Sequence, residues 1–248
     1  MAPKTKGYTH RDRFTPYMRT VVELLPVAEN GPKLLDIPAG AGHLGDEMAQ
    51  RGYRVTNADF NHDRDEYVFA DMTKRLPFDD NSFDAVTCLE GIEHMLDPFA
   101  LVGELTRVCK PGGTVVISTP NIMSYHSRVQ FLFTGTFAQF CPTHIPTVAR
   151  DAQLDRGHVS PIGLAQLRSI ALYHGLELTE IGTDKFKRVA LAPLFWTLER
   201  VGRVWKRRMF LGHRAVDETT RNHDLWRAFN QAALLYGRTA VFCFIKRS

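Results

Sequence analysis

The sequence predicts an α/β fold: a doubly wound, mostly parallel seven-stranded sheet, a lid insertion after the fifth strand and an added helical segment near the C-terminus. Three observations predict it. Short apolar runs alternate with helical stretches from residue 33 onward, the pattern of a parallel sheet covered on both faces. The first run breaks at 34–45, LLDIPAGAGHLG, into a glycine-rich turn that opens a helix. The polar residues Asp36, Asp59, Asp71, Glu90 and Asn121 fall where strands should end, the edge at which such sheets bind ligands.

Residues 12–28 are read as an opening helix, because Phe14, Met18, Val21, Val22 and Leu25 lie at helical spacing. A strand at 33–37, a helix at 42–51 and strands at 53–58, 66–70 and 83–89 follow. A helix over 98–109 leads through a KPGG turn (Lys110 to Gly113) into the fifth strand, 114–119. Alternation then stops. Residues 122–158 carry Tyr125, Phe131, Phe133, Phe137 and Phe140, read either as a lid over the site or as an irregular piece of core. Helical spacing returns at 161–174, with Pro161 suited to the first turn. Residues 176–183 form the sixth strand, 190–236 the added helices and 239–246 (TAVFCFIK) the last strand.

A chain of 248 residues with 44% hydrophobic content can bury a sizeable core, and 1–248 is read as a single domain. The net charge of +4 is too small to argue for nucleic acid unless it is clustered. No apolar run has the form of a signal peptide or reaches the about 18 residues of a membrane span, so a cytoplasmic chain is expected. Cys88, Cys109, Cys141 and Cys243 show no metal or redox spacing and are expected as reduced thiols.

Gly40 and Gly42 allow the backbone to turn sharply and approach a ligand, with helix N–H groups pointing at it. By spacing alone, Gly40-x-Gly42-x-x-Gly45 also fits a dinucleotide. Asp36 would repel a pyrophosphate and suits a cofactor with a cationic end, such as S-adenosylmethionine. Further along come LPF-x-D-x-SFD-x-V (76–86), the Glu93–His94 pair, R-V-x-K-PGG (107–113) and a strand running into Pro120–Asn121. In this order the motifs resemble the class I S-adenosylmethionine-dependent methyltransferases over residues 30 to 185, and quinone-biosynthesis O-methyltransferases among them. The resemblance implies a Rossmann-like methyltransferase fold with the last strand antiparallel beside the sixth. It also implies that Asp36, Gly40 and Gly42 hold the methionine end, Asp59 the ribose, and Asp71 with Met72 the adenine. Phe60 and Leu89 complete that cofactor-binding set. Pro38 stands where the family usually has glycine, and it removes a backbone donor.

Methyl transfer from a sulfonium mainly requires alignment, but a hydroxyl acceptor must also lose a proton, to a base or with help from a metal. Glu90, Glu93 and His94 have i, i+3, i+4 spacing, which a helical turn would bring to one face. Similarity to the quinone-biosynthesis enzymes and to small-RNA 3′-end 2′-O-methyltransferases implies a Mg²⁺ or Mn²⁺ ion on Glu90, Glu93, His94 and His158. Without a metal, His94, Glu93 and His158 would serve as base and pocket wall. His43, His126 and His144 border these segments. His10, His62, His174, His213 and His223 have no evident partners, and Asp63, Arg64 and Asp65 read as a solvated charge run.

Residues 193–211 form a basic amphipathic helix: Leu194, Leu198, Val201, Trp205 and Met209 line one face, with Arg200, Arg203, Lys206 and Arg207 elsewhere. Such a face either packs on its own domain or lies on an anionic membrane as a peripheral contact. The expected activity is O-methylation of a small or lipid-linked hydroxyl acceptor. The alternatives are a metal-dependent RNA 2′-O-methyltransferase, which lacks a basic stripe with stacking aromatics, a nicotinamide-dependent dehydrogenase, and a non-catalytic cofactor-binding module.

Overall fold

Leu34 and Leu35 are both fully buried, yet they belong to different layers. This follows from the two-residue period of the central strand β1 (Lys33–Asp36), which sends successive side chains to opposite faces. A computed structural model describes residues 13–25, 27–60, 64–140, 157–186, 192–211 and 216–247. In it Leu34 packs with Tyr17, Val21, Leu44 and Met48, from α1 (Pro16–Leu24) and α2 (His43–Gln50). Leu35 and Ile37 pack on the other face, which also buries Leu101 and Leu105 of α3 (Pro98–Val108) and Leu164 and Leu167 of α5 (Leu164–Tyr173). Between them in the chain lies α4 (Tyr125–Thr134).

The remaining strands are β2 (Arg54–Asp59), β3 (Val68–Phe69), β4 (Phe83–Leu89), β5 (Cys109–Pro120), β6 (Leu176–Thr183) and β7 (Thr239–Lys246). They form one seven-stranded sheet in the order β3-β2-β1-β4-β5-β7-β6. β1 to β5 are parallel, so their C-terminal ends share an edge, and β7 enters antiparallel between β5 and β6. Three further helices, α6 (Ala192–Leu211), α7 (Val216–Phe229) and α8 (Ala232–Tyr236), precede β7. Among the described residues no helix is long and apolar enough to cross a membrane. Cys88, Cys109 and Cys243 are free and buried, whereas Cys141 lies outside the described residues.

Several boundaries differ from expectation, each for a local reason. The opening helix starts only at Pro16, and Leu25 is already extended. β3 keeps two residues, because Asp71 begins a side-chain-stabilised turn directly beyond it. β5 begins before KPGG rather than after it: its pairing with β4 runs from Phe83–Cys109 to Ala85–Thr114, so 110–113 bulge within the ladder. Lys110 ties that excursion to Asp84 through a 2.6 Å ion pair. Pro161 precedes α5 instead of opening it, since Gly163 takes the N-cap position. Of the expected lid, 122–158, the structure gives α4 capped by Ser124 and closed by Gly135 in the left-handed region, while 141–156 lie outside the described residues.

The LPF segment is held from α3 by two side chains, Glu104, which accepts from the Leu76 N–H at 2.8 Å, and Arg107. Arg107, with its side chain 15% exposed, donates to both carboxylate oxygens of Glu104, to Asp80 at 2.7 Å and to the carbonyls of Leu76 and Phe78 at 3.1 and 2.8 Å. Only a planar fork satisfies five acceptor oxygens at once. Arg107→Ala is expected to lower unfolding free energy by about 2–3 kcal/mol in urea titrations, with Arg107→Lys recovering less than half. A loss under about 0.5 kcal/mol would show that the turn holds without this clamp.

Candidate active site

The glycine turn rises from the C-terminal end of β1 and is held from two sides. Ile37 N–H donates to the Thr87 carbonyl of β4 at 2.9 Å, and Ala39 N–H to the Ala58 carbonyl of β2 at 3.0 Å. Gly40 N–H donates to the Asp59 carboxylate at 2.8 Å, so the two acidic strand ends are tied through the turn. Gly42 has φ +79°, and a Cβ there would collide with the Tyr67 hydroxyl, so only glycine fits. Gly45 lets α2 lie against the Asn57 side chain of β2, the packing role of the third glycine in such turns.

Asp36 is 2% exposed and accepts from Thr87 Oγ1 at 2.7 Å. Burial, opposed by that bond and reinforced by the nearby Asp59 charge, pushes its carboxyl up to about 7. Asp71 behaves differently. Burial acts against its ionisation, yet the Thr73 hydroxyl and N–H bonds, with Lys74 at 3.3 Å, hold its carboxyl below the usual range. Met72 packs beside it against the core, Phe60 lies against Phe69 with ring centres 5.3 Å apart, and Leu89 is buried at the end of β4. All the residues assigned to the cofactor therefore lie along one edge.

Beyond β4 the chain forms a single 3-10 turn, Ile92–His94. The Glu93 carbonyl accepts from the N–H groups of Val159 and Ser160, both at 2.9 Å, which docks 157–160 onto this turn. His158 is thereby set against His94, ring centres 4.9 Å apart and nearly perpendicular. Glu93 is fully buried, and one ligating atom from each of Glu93, His94 and His158 lies within 4.8 Å of the others. Glu90 is not in this group. It adopts φ 51°, its N–H donates to Ser118, and its carboxylate accepts from Ser118 Oγ at 3.2 Å. The helical turn expected to align it begins only at Ile92, so the expected four-residue set becomes three.

The two halves of the site adjoin. A Cβ on Gly91 would lie 2.8 Å from Pro38 Cδ and 3.2 Å from Cys88 Sγ, so the missing side chain lets the glycine turn and the Glu93 turn approach. The Cys88 thiol is raised by burial and then by the charges of Glu93 and Asp36.

Two expectations are corrected here. Asn121 turns into the fold: its amide donates to the carbonyls of Ala233, Leu234 and Gly237 and joins β5 to α8. Arg64 is not part of a solvated run. It grips Asp46 with two bonds of 2.8 Å and the Ala41 carbonyl at 2.7 Å, buckling the glycine turn. Thr87, Gly91 and Arg64 were missed as site residues; only the neighbouring glutamate turn hinted at Gly91. His174 bonds the Phe99 carbonyl and His223 is exposed, while His10, His62, Asp63, His144 and His213 lie outside the described residues.

Because folded Asp36 keeps its proton up to about 7 while the unfolded chain releases it near 3.8, the stability it contributes is present below that lower value and is lost as pH rises. Asp36→Asn should therefore melt at a higher temperature than the wild type near pH 8, with the difference shrinking toward pH 5. Equal melting shifts at both pH values would sink this account of the buried carboxyl.

A family model described as "Methyltransferase domain" matches residues 8–181. The chain is 41% identical over 119 residues to a demethylmenaquinone methyltransferase of Clavibacter sepedonicus, covering 42% of this chain and 47% of that protein. It is 38% identical over 154 residues to a ubiquinone biosynthesis O-methyltransferase of Pseudomonas aeruginosa, covering 50% and 65%. The chain thus spans about half to two-thirds of these relatives. Its fold matches an S-adenosylmethionine-dependent methyltransferase of Archaeoglobus fulgidus with TM-score 0.56 at 16% identity, covering 93% of each chain. It also matches phosphoethanolamine N-methyltransferase 2 of Haemonchus contortus with TM-score 0.52 at 18% identity, covering 94% of this chain and 52% of that one. These matches favour the sulfonium cofactor over the nicotinamide alternative for the glycine turn. The chain belongs to the methyltransferase-domain family, whose cofactor is S-adenosylmethionine.

Proposed function

We propose that this chain transfers the methyl group of S-adenosylmethionine to a hydroxyl oxygen of a small or lipid-linked apolar acceptor. The observation that carries this reading is the adjacency of a buried carboxylate beside a glycine turn and a carboxylate with two imidazoles. Asp36 receives the cofactor's ammonium end, Gly40 and Gly42 let the backbone close on it, and Asp59 faces the ribose hydroxyls. Asp71, Met72, Phe60 and Leu89 wall the adenine end. The acceptor oxygen sits on the Glu93 side. As its bond to the methyl carbon forms and the sulfur–carbon bond breaks, its proton passes to His94 or His158 where those imidazoles hold no metal ion.

Chemically, a buried carboxylate with two imidazoles is a donor set that fits a divalent ion. Glu93, His94 and His158 would hold it, and when bound it would lower the pKa of the acceptor hydroxyl. Relatives named for ubiquinone biosynthesis support an apolar aromatic acceptor such as a quinone precursor.

Two measurements test the reading. Adenosylhomocysteine affinity should rise with pH through about 7 as Asp36 ionises to meet the ligand's ammonium, and Asp36→Asn should flatten that profile. Absence of binding at any pH would overturn the cofactor assignment. In calorimetry at saturating adenosylhomocysteine, Mn²⁺ should bind the wild type and Glu90→Gln alike, while Glu93→Gln weakens it by about tenfold or more. Unchanged Mn²⁺ binding in Glu93→Gln would remove the metal from the mechanism and leave the two histidines as proton acceptors.

A further inference from the structure

Helix α6 carries the C-terminal part of its apolar stripe, Val201, Trp205 and Met209, on the outside. Two neighbouring ridges, Arg200–Val204–Arg208 and Val201–Trp205–Met209, each at i, i+4, i+8 spacing, line an open groove. Val201 is 77% exposed, Val204 67%, Trp205 74% and Met209 61%. The side facing the protein holds Phe195 and Glu199, which are buried, and Lys206, which donates to Asn230 at 3.0 Å. The helix therefore satisfies its packing with one face and leaves a second, mostly apolar face in water.

The charge around that face states what it fits. Residues 192–211 contain five basic residues and one acid, an excess equal to the whole chain's formal net charge of +4. The single acid, Glu199, is buried and paired with Arg203, so no carboxylate of this helix is exposed beside the stripe. A second copy of the chain would bring Arg200 and Arg208 against their own counterparts, an unfavourable isologous contact. Single-stranded nucleic acid would meet the arginines and find one stacking ring in Trp205, but Val201, Val204 and Met209 offer its further bases neither rings nor polar partners. An anionic lipid surface satisfies both halves. Valine, methionine and indole enter the acyl boundary while the long arginine stems lift their charge to the phosphates. Trp196 lies under the Arg200 guanidinium, 4.4 Å from ring centre to charge, an amphipathic pair suited to that boundary.

We propose that α6 is a peripheral docking surface for an anionic lipid bilayer, through the Val201–Trp205–Met209 ridge flanked by Arg200 and Arg208. On its inner side Phe195 stacks on Tyr125 of α4, ring centres 4.9 Å apart, and α4 begins just beyond the C-terminal end of β5. The docked helix and the ligand edge thus belong to one packed unit. The docking does not depend on which acceptor the site methylates.

The test is co-sedimentation of the full chain with phosphatidylcholine vesicles, with and without about one-third phosphatidylglycerol. The wild type should bind only the anionic vesicles, and less at high salt. Arg200→Glu/Arg208→Glu and Trp205→Glu/Met209→Glu should each weaken binding by roughly tenfold or more, with unchanged melting temperature and adenosylhomocysteine binding. The proposal is overturned if the wild type stays in the supernatant, or if both double variants bind as it does. It is equally overturned if Trp205→Glu/Met209→Glu instead dissolves a dimer in sedimentation equilibrium, or if a single-stranded oligonucleotide displaces the protein from vesicles.

Discussion

A carboxylate buried at the end of the central strand is the constraint around which this site is arranged. Among the described residues the Asp36 carboxyl accepts one hydrogen bond, from Thr87, and has a second carboxylate, Asp59, as its electrostatic neighbour. An ionised pair of this kind is unfavourable without a cation, so the ligand-free molecule keeps Asp36 protonated at pH values below about 7. The strain falls on the residue that, in the proposed reading, meets the cofactor's positive end. Ligand binding then supplies the missing countercharge, and the folded chain gives up stability at alkaline pH to keep a site that attracts a cation.

The same electrostatics extend across the Pro38–Gly91 contact. Glu93 is buried on the far side of that contact, and Cys88 feels both acids. Two buried carboxylates call for two positive or proton-sharing partners. In the proposed reading the cofactor end meets the first, and the His94–His158 pair meets the second. Pro38 takes on a structural role in this setting. Where the family usually has a glycine it gives up a donor and gains a packing surface against Gly91, holding the two turns in register.

The sequence carried the sheet almost completely, because a parallel sheet buried on both faces leaves runs such as KLLD and FDAVTCL that period and length identify. It carried the glycine turn and the acids at the strand ends for the same reason, since both are local signals. What it did not carry were features fixed by distant partners. Glu90 has ideal helical spacing to Glu93 and His94, but Ser118 of the next strand captures it. Asn121 sits at a strand end, yet carbonyls more than a hundred residues away satisfy its amide. Arg64 looked solvated until the fold laid it across the glycine turn.

Helix α6 shows the same limit in another form: its period is legible in the sequence, but which way its apolar face points is not. An amphipathic stripe is ordinarily taken as the face that drives folding. Here the inward face is a mixed cluster in which Glu199 is buried with Arg203 beside it and Arg128 and Lys206 nearby. The Arg128 and Lys206 charges are both disfavoured, first by burial. Such a cluster adds little net stability once desolvation is counted, but it fixes how the helix sits. Seating by charge and by one aromatic stack frees the apolar ridge from any role in the core. A ridge of valine, tryptophan and methionine left in water, with every exposed charge on its helix positive, is a surface whose free energy is recovered only outside the chain.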